Sequence, residues 1–249
     1  MPAKTVRVRV QRQDGPDTAP RWEEFAIPWQ PGMNVIFCLM EIQRNPVTAD
    51  GVKTTPIVWE SHCLEEVCGA CTMVINGKVR QSCSALVDAL EQPIVLTPMT
   101  KFPTVRDLTV DRSRMFTDLI RIKGWIPVQG TYDLGAGPRL SPQVQEIAYK
   151  LSTCMTCGCC LEVCPNVNDR SAFIGPAAVS QARLFNMHPT GAMNAAERLD
   201  ALMEPGGISE CGNAQNCLEA CPKEIPLTTS IGYIGRDVTL HAIRKLLGT

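Results

Sequence analysis

Over the first hundred residues, apolar and polar positions alternate mostly with the period of strands. Val6, Val8 and Val10 alternate with Arg7 and Arg9, which predicts a half-buried strand. Phe25 and Ile27 mark a second strand that ends near Pro28. Asn34 is placed to cap a helix whose apolar positions Val35, Leu39 and Ile42 follow helical spacing. Residues 72–75, the pair Asn76-Gly77 and residues 78–80 read as a tight hairpin, and 94–96 as a further strand. The pattern predicts a small mixed α+β domain with a long cysteine-bearing loop at 63–71.

Beyond residue 110 the period changes to helical. Residues 112–122 predict a helix, followed by an irregular stretch over 124–138 rich in Gly and Pro. Ser141 with Pro142 is a helix start, and Val144, Ile147, Ala148 and Leu151 supply an apolar face. Further helices are expected at 177–186, 193–203 (stopped by Pro205-Gly206-Gly207) and 226–247. Gly135-x-Gly137 precedes Pro138 and reads as a turn, not a nucleotide loop. The expected division is a domain over 1–110 and a helical domain over 111–249.

Composition narrows the class. Hydrophobic residues make up 45% and charged residues 20%, enough for a packed core, and the net charge of −1 gives no reason to expect nucleic acid as a partner. No apolar run reaches spanning length and the first residues lack a signal-peptide core, so a chain without its own membrane anchor is expected. The 13 cysteines change the picture most. An odd count without a secretion signal fits a disulfide framework poorly, and Cys154, Cys157, Cys159, Cys160 and Cys164 crowd together as metal-binding thiolates do.

Cys63-x4-Cys68-x2-Cys71, with Cys83 beyond the hairpin, has the plant-type spacing of a [2Fe–2S] cluster. Short gaps let three thiolates converge while the fourth comes from a neighbouring strand. Structural zinc is the alternative, but its usual paired C-x2–4-C spacing is not repeated here. Cys154-x2-Cys157-x2-Cys160-x3-Cys164-Pro165 is the bacterial ferredoxin run, whose fourth cysteine serves the other cluster of a pair. An internal repeat supplies that second site. CMTCGCCLEVCP at 154–165 aligns with CGNAQNCLEACP at 211–222, with Cys157 in the first copy facing Ala214 in the second. Crossed pairing assigns Cys154, Cys157, Cys160 and Cys221 to a [4Fe–4S] cluster, and Cys164, Cys211 and Cys217 to the other. Alanine cannot hold an iron, so that second cluster reads as [3Fe–4S], with water or hydroxide capping a fourth iron as the other possibility. Cys38 and Cys159 are left spare, Cys38 as a buried small apolar residue and Cys159 pointing away from its cluster.

Three clusters in this order resemble the iron–sulfur subunit of succinate dehydrogenase or fumarate reductase, over essentially the whole chain. The carrying segments are the 63–71 loop, CMTCGCCLEVCPNVN at 154–168, FNMHPTGAMN at 185–194 and CGNAQNCLEACPKEIPLTTSI at 211–231. The wording of the last three is closest to the type anchored by a single diheme cytochrome b. The resemblance implies a β-grasp, plant-type ferredoxin domain followed by an all-helical bacterial-ferredoxin-like domain. It implies an electron relay from a flavoprotein subunit carrying FAD, which oxidises succinate, to a quinone at a haem b-containing anchor. Residence at the cytoplasmic face of the cell membrane follows, with fumarate reduction in the reverse direction as the alternative. Many relatives carry Arg and Gly where this chain has Leu64 and Glu66. Ubiquinone-reducing members carry Trp and His where Asn166-Val167-Asn168 and Gly212 stand, which favours menaquinone.

The remaining candidates read as structural. His62 is expected on a solvated loop, with tuning of the adjacent cluster as the alternative. His188 is expected in a turn, with a position facing quinone or haem as the alternative, and His241 on a helix surface. Trp22, Trp29, Trp59 and Trp125 are expected to pack rather than to relay electrons. No triad or paired acid–base carboxylates stand out. A thiol-coupled fumarate reductase subunit and a zinc-stabilised scaffold are the competing classes.

Overall fold

The computed structural model describes residues 4–126 and 139–248, and the expected turn at Gly135-x-Gly137 lies outside them. The chain forms two compact units. The first holds Met1–Arg112 together with Met155–Glu162, and the second holds Ser113–Cys154 and Val163–Thr249.

The first unit is built on β1 (Thr5–Arg12), β2 (Arg21–Pro28), β3 (Thr72–Ile75), β4 (Lys78–Gln81) and β5 (Ile94–Thr97), with α1 (Val35–Arg44) between β2 and β3. The five strands form one mixed sheet in the order β2-β1-β5-β3-β4. β1 runs antiparallel to β2 and parallel to β5, with Val8 opposite Ile94. A mixed sheet with one packed helix is the arrangement the β-grasp resemblance implies. Val6, Val8 and Val10 are fully buried, so the alternation seen in the sequence is the inward face of β1. They pack with Phe25, Leu39, Ile42, Ile75 and Leu96 in a single core. Asn76 and Gly77 both take positive φ (47° and 78°), as the two-residue turn joining β3 to β4 requires.

A short hairpin, β6 (Thr104–Arg106) and β7 (Thr109–Val110), was not visible in the pattern. It is held by the buried carboxylate of Asp107, which accepts from Arg12 Nε (2.9 Å), Gln13 N (3.0 Å) and Val58 N (2.9 Å). Its partners come from β1 and from the segment before the cysteine loop. Such long-range satisfaction of one buried carboxylate leaves no local signature.

The second unit contains α2 (Ser113–Arg121) and α3 (Pro142–Ser152); α4 (Cys159–Glu162) belongs to the first. The second unit continues with α5 (Gly175–Met187), α6 (Ala195–Met203), α7 (Asn216–Glu219) and α8 (Leu227–Leu247). Ser141 caps α3, its Oγ accepting from Val144 N. Of the face expected on α3, only Leu151 is buried; Ile147 is 38% exposed, because the helix meets α5 chiefly near its C-terminal end. α5 and α8 pack together, α8 contributing Leu227, Ser230, Ile234 and Val238. Arg198 on α6 is fully buried and spends its guanidinium on four acceptors: the carbonyls of Lys123 (3.0 Å), Trp125 (2.8 Å) and Gly191 (2.7 Å), and Asn186 Oδ1 (3.0 Å). Those bonds fasten the segment after α2 to the turn before α6. Among the described residues no helix is long and apolar enough to cross a membrane.

Candidate metal centres

The loop at 63–71 wraps around sulfur. Backbone N–H groups of Glu65 (3.5 Å), Val67 (3.3 Å) and Cys68 (3.3 Å) all donate to Cys63 Sγ, and Ala70 N donates to Cys68 Sγ at 3.5 Å. These donors hold the Cys63 thiol down at about 6. Amides converging on one sulfur stabilise a thiolate, the form that binds metal. Leu64 (φ 63°) and Glu66 (φ 58°) adopt the left-handed conformation that turns the amides inward. For non-glycine residues this costs about 1–2 kcal/mol each. At Glu66 part is offset by Ser84 Oγ, which donates to its carboxylate at 2.7 Å.

Cys71 and Cys83 meet beneath the loop, and burial pushes the Cys71 thiol up to about 11. Ser82 N and Oγ both donate to the Cys71 carbonyl (3.1 and 2.9 Å), while Asn34, the cap of α1, donates through Nδ2 to the Cys83 carbonyl at 2.9 Å. Cys63 also meets Cys68, so the four sulfurs fall into two pairs, a donor set suited to the two irons of a [2Fe–2S] cluster.

The two copies of the internal repeat share a backbone. In the first, Thr156 (φ 52°) and Gly158 (φ 91°) flank Cys157, and α4 follows at once. In the second, Asn213 (φ 53°) and Gln215 (φ 65°) flank Ala214, and α7 follows at the same offset. Paired left-handed residues on both sides present the middle residue identically. Ala214 therefore stands where Cys157 stands.

Cys164, Cys211 and Cys217 line one recess in the second unit with Ala214, floored by Phe173, Pro176 and Ile231. Burial and the charges of Cys164 and Cys211 push the Cys217 thiol up to about 11. Thiolates lining one recess are stabilised by a positively charged metal group. Asn216 Nδ2 donates to the Val163 carbonyl at 3.2 Å and Gly212 N to Asn166 Oδ1 at 3.3 Å, so the two cysteine segments are sewn together. Among the described residues, no three His, Cys, Asp or Glu side chains are grouped as ligands of a single metal ion.

Of the other expected ligands, Cys157 and Cys160 belong to the first unit, and Cys154 and Cys221 to the second, where Cys221 Sγ accepts from Ile225 N at 3.4 Å. Cys159 is fully buried and takes a bond from Gln81 Nε2 at 3.4 Å; its thiol also meets Cys157, which holds Cys157 down at about 7 and raises Cys159. Cys38 is fully buried in the sheet core, which pushes its thiol up to about 12.

The histidines separate. His62 is exposed, and His188 accepts from Gly191 N at 3.3 Å through Nδ1 within a turn. His241, expected on a helix surface, has a side chain only 16% exposed and pairs with Asp200 Oδ1 at 2.8 Å. Trp59 packs on the core, whereas Trp22 and Trp125 are exposed, Trp22 beneath the guanidinium of Arg9.

Residues 7–117 match the 2Fe-2S iron-sulfur cluster binding domain, and 150–225 match the 4Fe-4S dicluster domain. The succinate dehydrogenase iron-sulfur subunit of Bacillus subtilis is 62% identical over 99% of this chain and 97% of its own length. The chain belongs to the iron–sulfur subunits of succinate dehydrogenase and fumarate reductase. A more distant member, the fumarate reductase iron-sulfur subunit of Wolinella succinogenes, is 27% identical over 94% of this chain and 96% of its own. The fold recurs in a chain of the Mycobacterium smegmatis Sdh1 complex in its apo form, with a TM-score of 0.78, 24% identity, and 95% and 96% of the two chains covered. As a member of this family, the chain is the electron-transferring subunit of a succinate-oxidising complex, and the relay runs through iron–sulfur clusters.

Sequence reasoning missed Gln81, Glu162 and Arg112. Arg112 donates to the carbonyls of Gly69 (2.8 Å) and Ala70 (2.7 Å), inside the first loop, and to Glu60. No spacing rule links position 112 to position 69.

Proposed function

We propose that this subunit carries three clusters in series: [2Fe–2S] on Cys63, Cys68, Cys71 and Cys83, [4Fe–4S] on Cys154, Cys157, Cys160 and Cys221, and [3Fe–4S] on Cys164, Cys211 and Cys217. The clusters supply one-electron storage at fixed points. The protein's part is to keep each thiolate oriented, to exclude water with residues such as Phe173 and Ile231, and to donate amides to sulfur as around Cys63.

The observation that carries the reading is the common backbone of the repeat. Ala214 offers a methyl group at the repeat offset where Cys157 offers a thiol, in the recess that Cys164, Cys211 and Cys217 line. The experiment is Ala214→Cys in the purified complex. The wild-type three-iron paramagnetic signal of the oxidised state is expected to vanish, while iron at that site rises from about three to about four. A signal of full intensity in the variant contradicts the three-iron assignment.

The partners implied are a flavoprotein with FAD and a cytochrome b anchor with haem b, the chain being held peripherally at the cytoplasmic face of the membrane. Menaquinone is the acceptor favoured. Asn166 and Gly212 stand where ubiquinone-reducing relatives place Trp and His, and they pack on each other so closely that a Cβ at Gly212 would lie 2.8 Å from Asn166 Oδ1.

A further inference from the structure

Residues Met155–Glu162 carry two of the cysteines assigned to the four-iron cluster, yet they fold with the sheet-bearing unit. Their hold on it is specific. The Glu162 carboxylate accepts from Thr100 N (2.8 Å), Thr100 Oγ1 (2.7 Å) and Lys101 N (2.9 Å). Gly158 lies so close to Phe102 and Met99 that a Cβ would stand 3.0 Å from the Phe102 ring. At the other end, Gly69 (φ 71°) lets the first cysteine loop touch Cys157: a Cβ at Gly69 would lie 2.8 Å from that of Cys157. Gly69 falls between Cys68 and Cys71, so this contact joins the ligand loop of one cluster to a ligand of the next. Glu219 holds the same offset in the second repeat and is exposed.

We propose that Glu162 is a positioning residue for electron transfer, its carboxylate clamping Thr100 and Lys101 so that Cys157 is seated against Gly69. The inference rests on the assignment of Cys68 and Cys71 to the two-iron cluster and of Cys157 and Cys160 to the four-iron cluster. The step it serves moves one electron, drawn from succinate through the flavoprotein. The [2Fe–2S] cluster is oxidised, the [4Fe–4S] cluster is reduced, and no bond or proton changes hands. Tunnelling falls exponentially with separation, so a clamp that fixes the seating of Cys157 acts directly on the rate. A carboxylate suits this task because charge-assisted bonds to backbone amides are strong and directional.

The test uses the intact complex with Glu162→Ala and Glu162→Gln. Three quantities are read: iron and sulfide content, amide exchange at Thr100 and Lys101, and relaxation enhancement of the reduced [2Fe–2S] signal by the neighbouring paramagnetic cluster. In Glu162→Ala, cluster content is expected to persist while both amides exchange about tenfold faster. The relaxation enhancement should drop, and electron transfer from the two-iron to the four-iron cluster should slow. Glu162→Gln keeps an oxygen facing Thr100 and should restore most of the enhancement. Unchanged exchange and relaxation in Glu162→Ala, with both clusters full, overturns the proposal. Absence of iron and sulfide from the wild-type complex overturns the cluster assignment instead. Should Glu162→Ala assemble without the four-iron cluster, Thr100→Val decides: it removes one donor, and weaker coupling supports the clamp while unaltered coupling overturns it.

Discussion

Cys164 illustrates how little a residue's chemistry depends on its neighbours in sequence. It closes the first cysteine run, yet it shares a recess with Cys211 and Cys217 of the second. Crossed assignment predicts that Cys164→Ser damages the three-iron cluster and leaves the four-iron cluster assembled. Loss of the four-iron signal alone would refute it, as read by paramagnetic resonance at successive stages of reduction. The same scale explains which site features the sequence displayed. Cysteine spacing is local, so the candidate thiolates could be named from it, and Ala214 stood out against Cys157 because the two copies align without gaps. The left-handed backbone of Gln215 could not be named, because glutamine carries no preference for it. Nor could the bond from Gln81 to Cys159, which spans 78 positions.

Among the secondary-structure elements, those with a clean period were legible. β1 reads as alternating valines, and the α1 cap at Asn34 accepts from Phe37 N at 2.9 Å. Elements defined by distant partners were not. β6 and β7 exist because Asp107 is satisfied from elsewhere, and α4 and α7 are single turns with no room for a period. α2 carries a testable cost of burial. Asp118 faces Arg114 at 3.6 Å, but burial wins and pushes its carboxyl up to about 6. The raised value means that the folded state binds the proton more tightly than the unfolded one. Burying this ionised carboxylate is therefore unfavourable above pH 6, and the penalty disappears as pH falls through about 6 toward 4. Asp118→Asn is expected to stabilise the protein at pH 7–8 by about 1–2 kcal/mol, with the gain shrinking below pH 6. Denaturant titrations at pH 8 and pH 4.5 measure it, and a gain independent of pH would exclude Asp118 as its source.

At the scale of the whole molecule, the chain is the electron-transferring iron–sulfur subunit of a succinate dehydrogenase complex, and none of its described helices is long and apolar enough to cross a membrane. On the proposed reading, flavoprotein and membrane subunits stand at the two ends of its relay. Carbonate or chaotrope washing of membranes is expected to release it, whereas gentle detergent should retain it with a flavin-bearing and a haem-bearing partner. Chain that stays in the bilayer after such washing, without partners, would contradict peripheral attachment. The central claim is that these thiolates hold three iron–sulfur clusters of unequal size and not zinc. The most direct measurement is the iron, acid-labile sulfide and zinc content of the purified complex, corrected for haem and set beside its Mössbauer spectrum. The expected result is about nine iron and about ten sulfide per chain, divided among two-, three- and four-iron centres. Stoichiometric zinc without sulfide, or two four-iron centres and no three-iron centre, would contradict it.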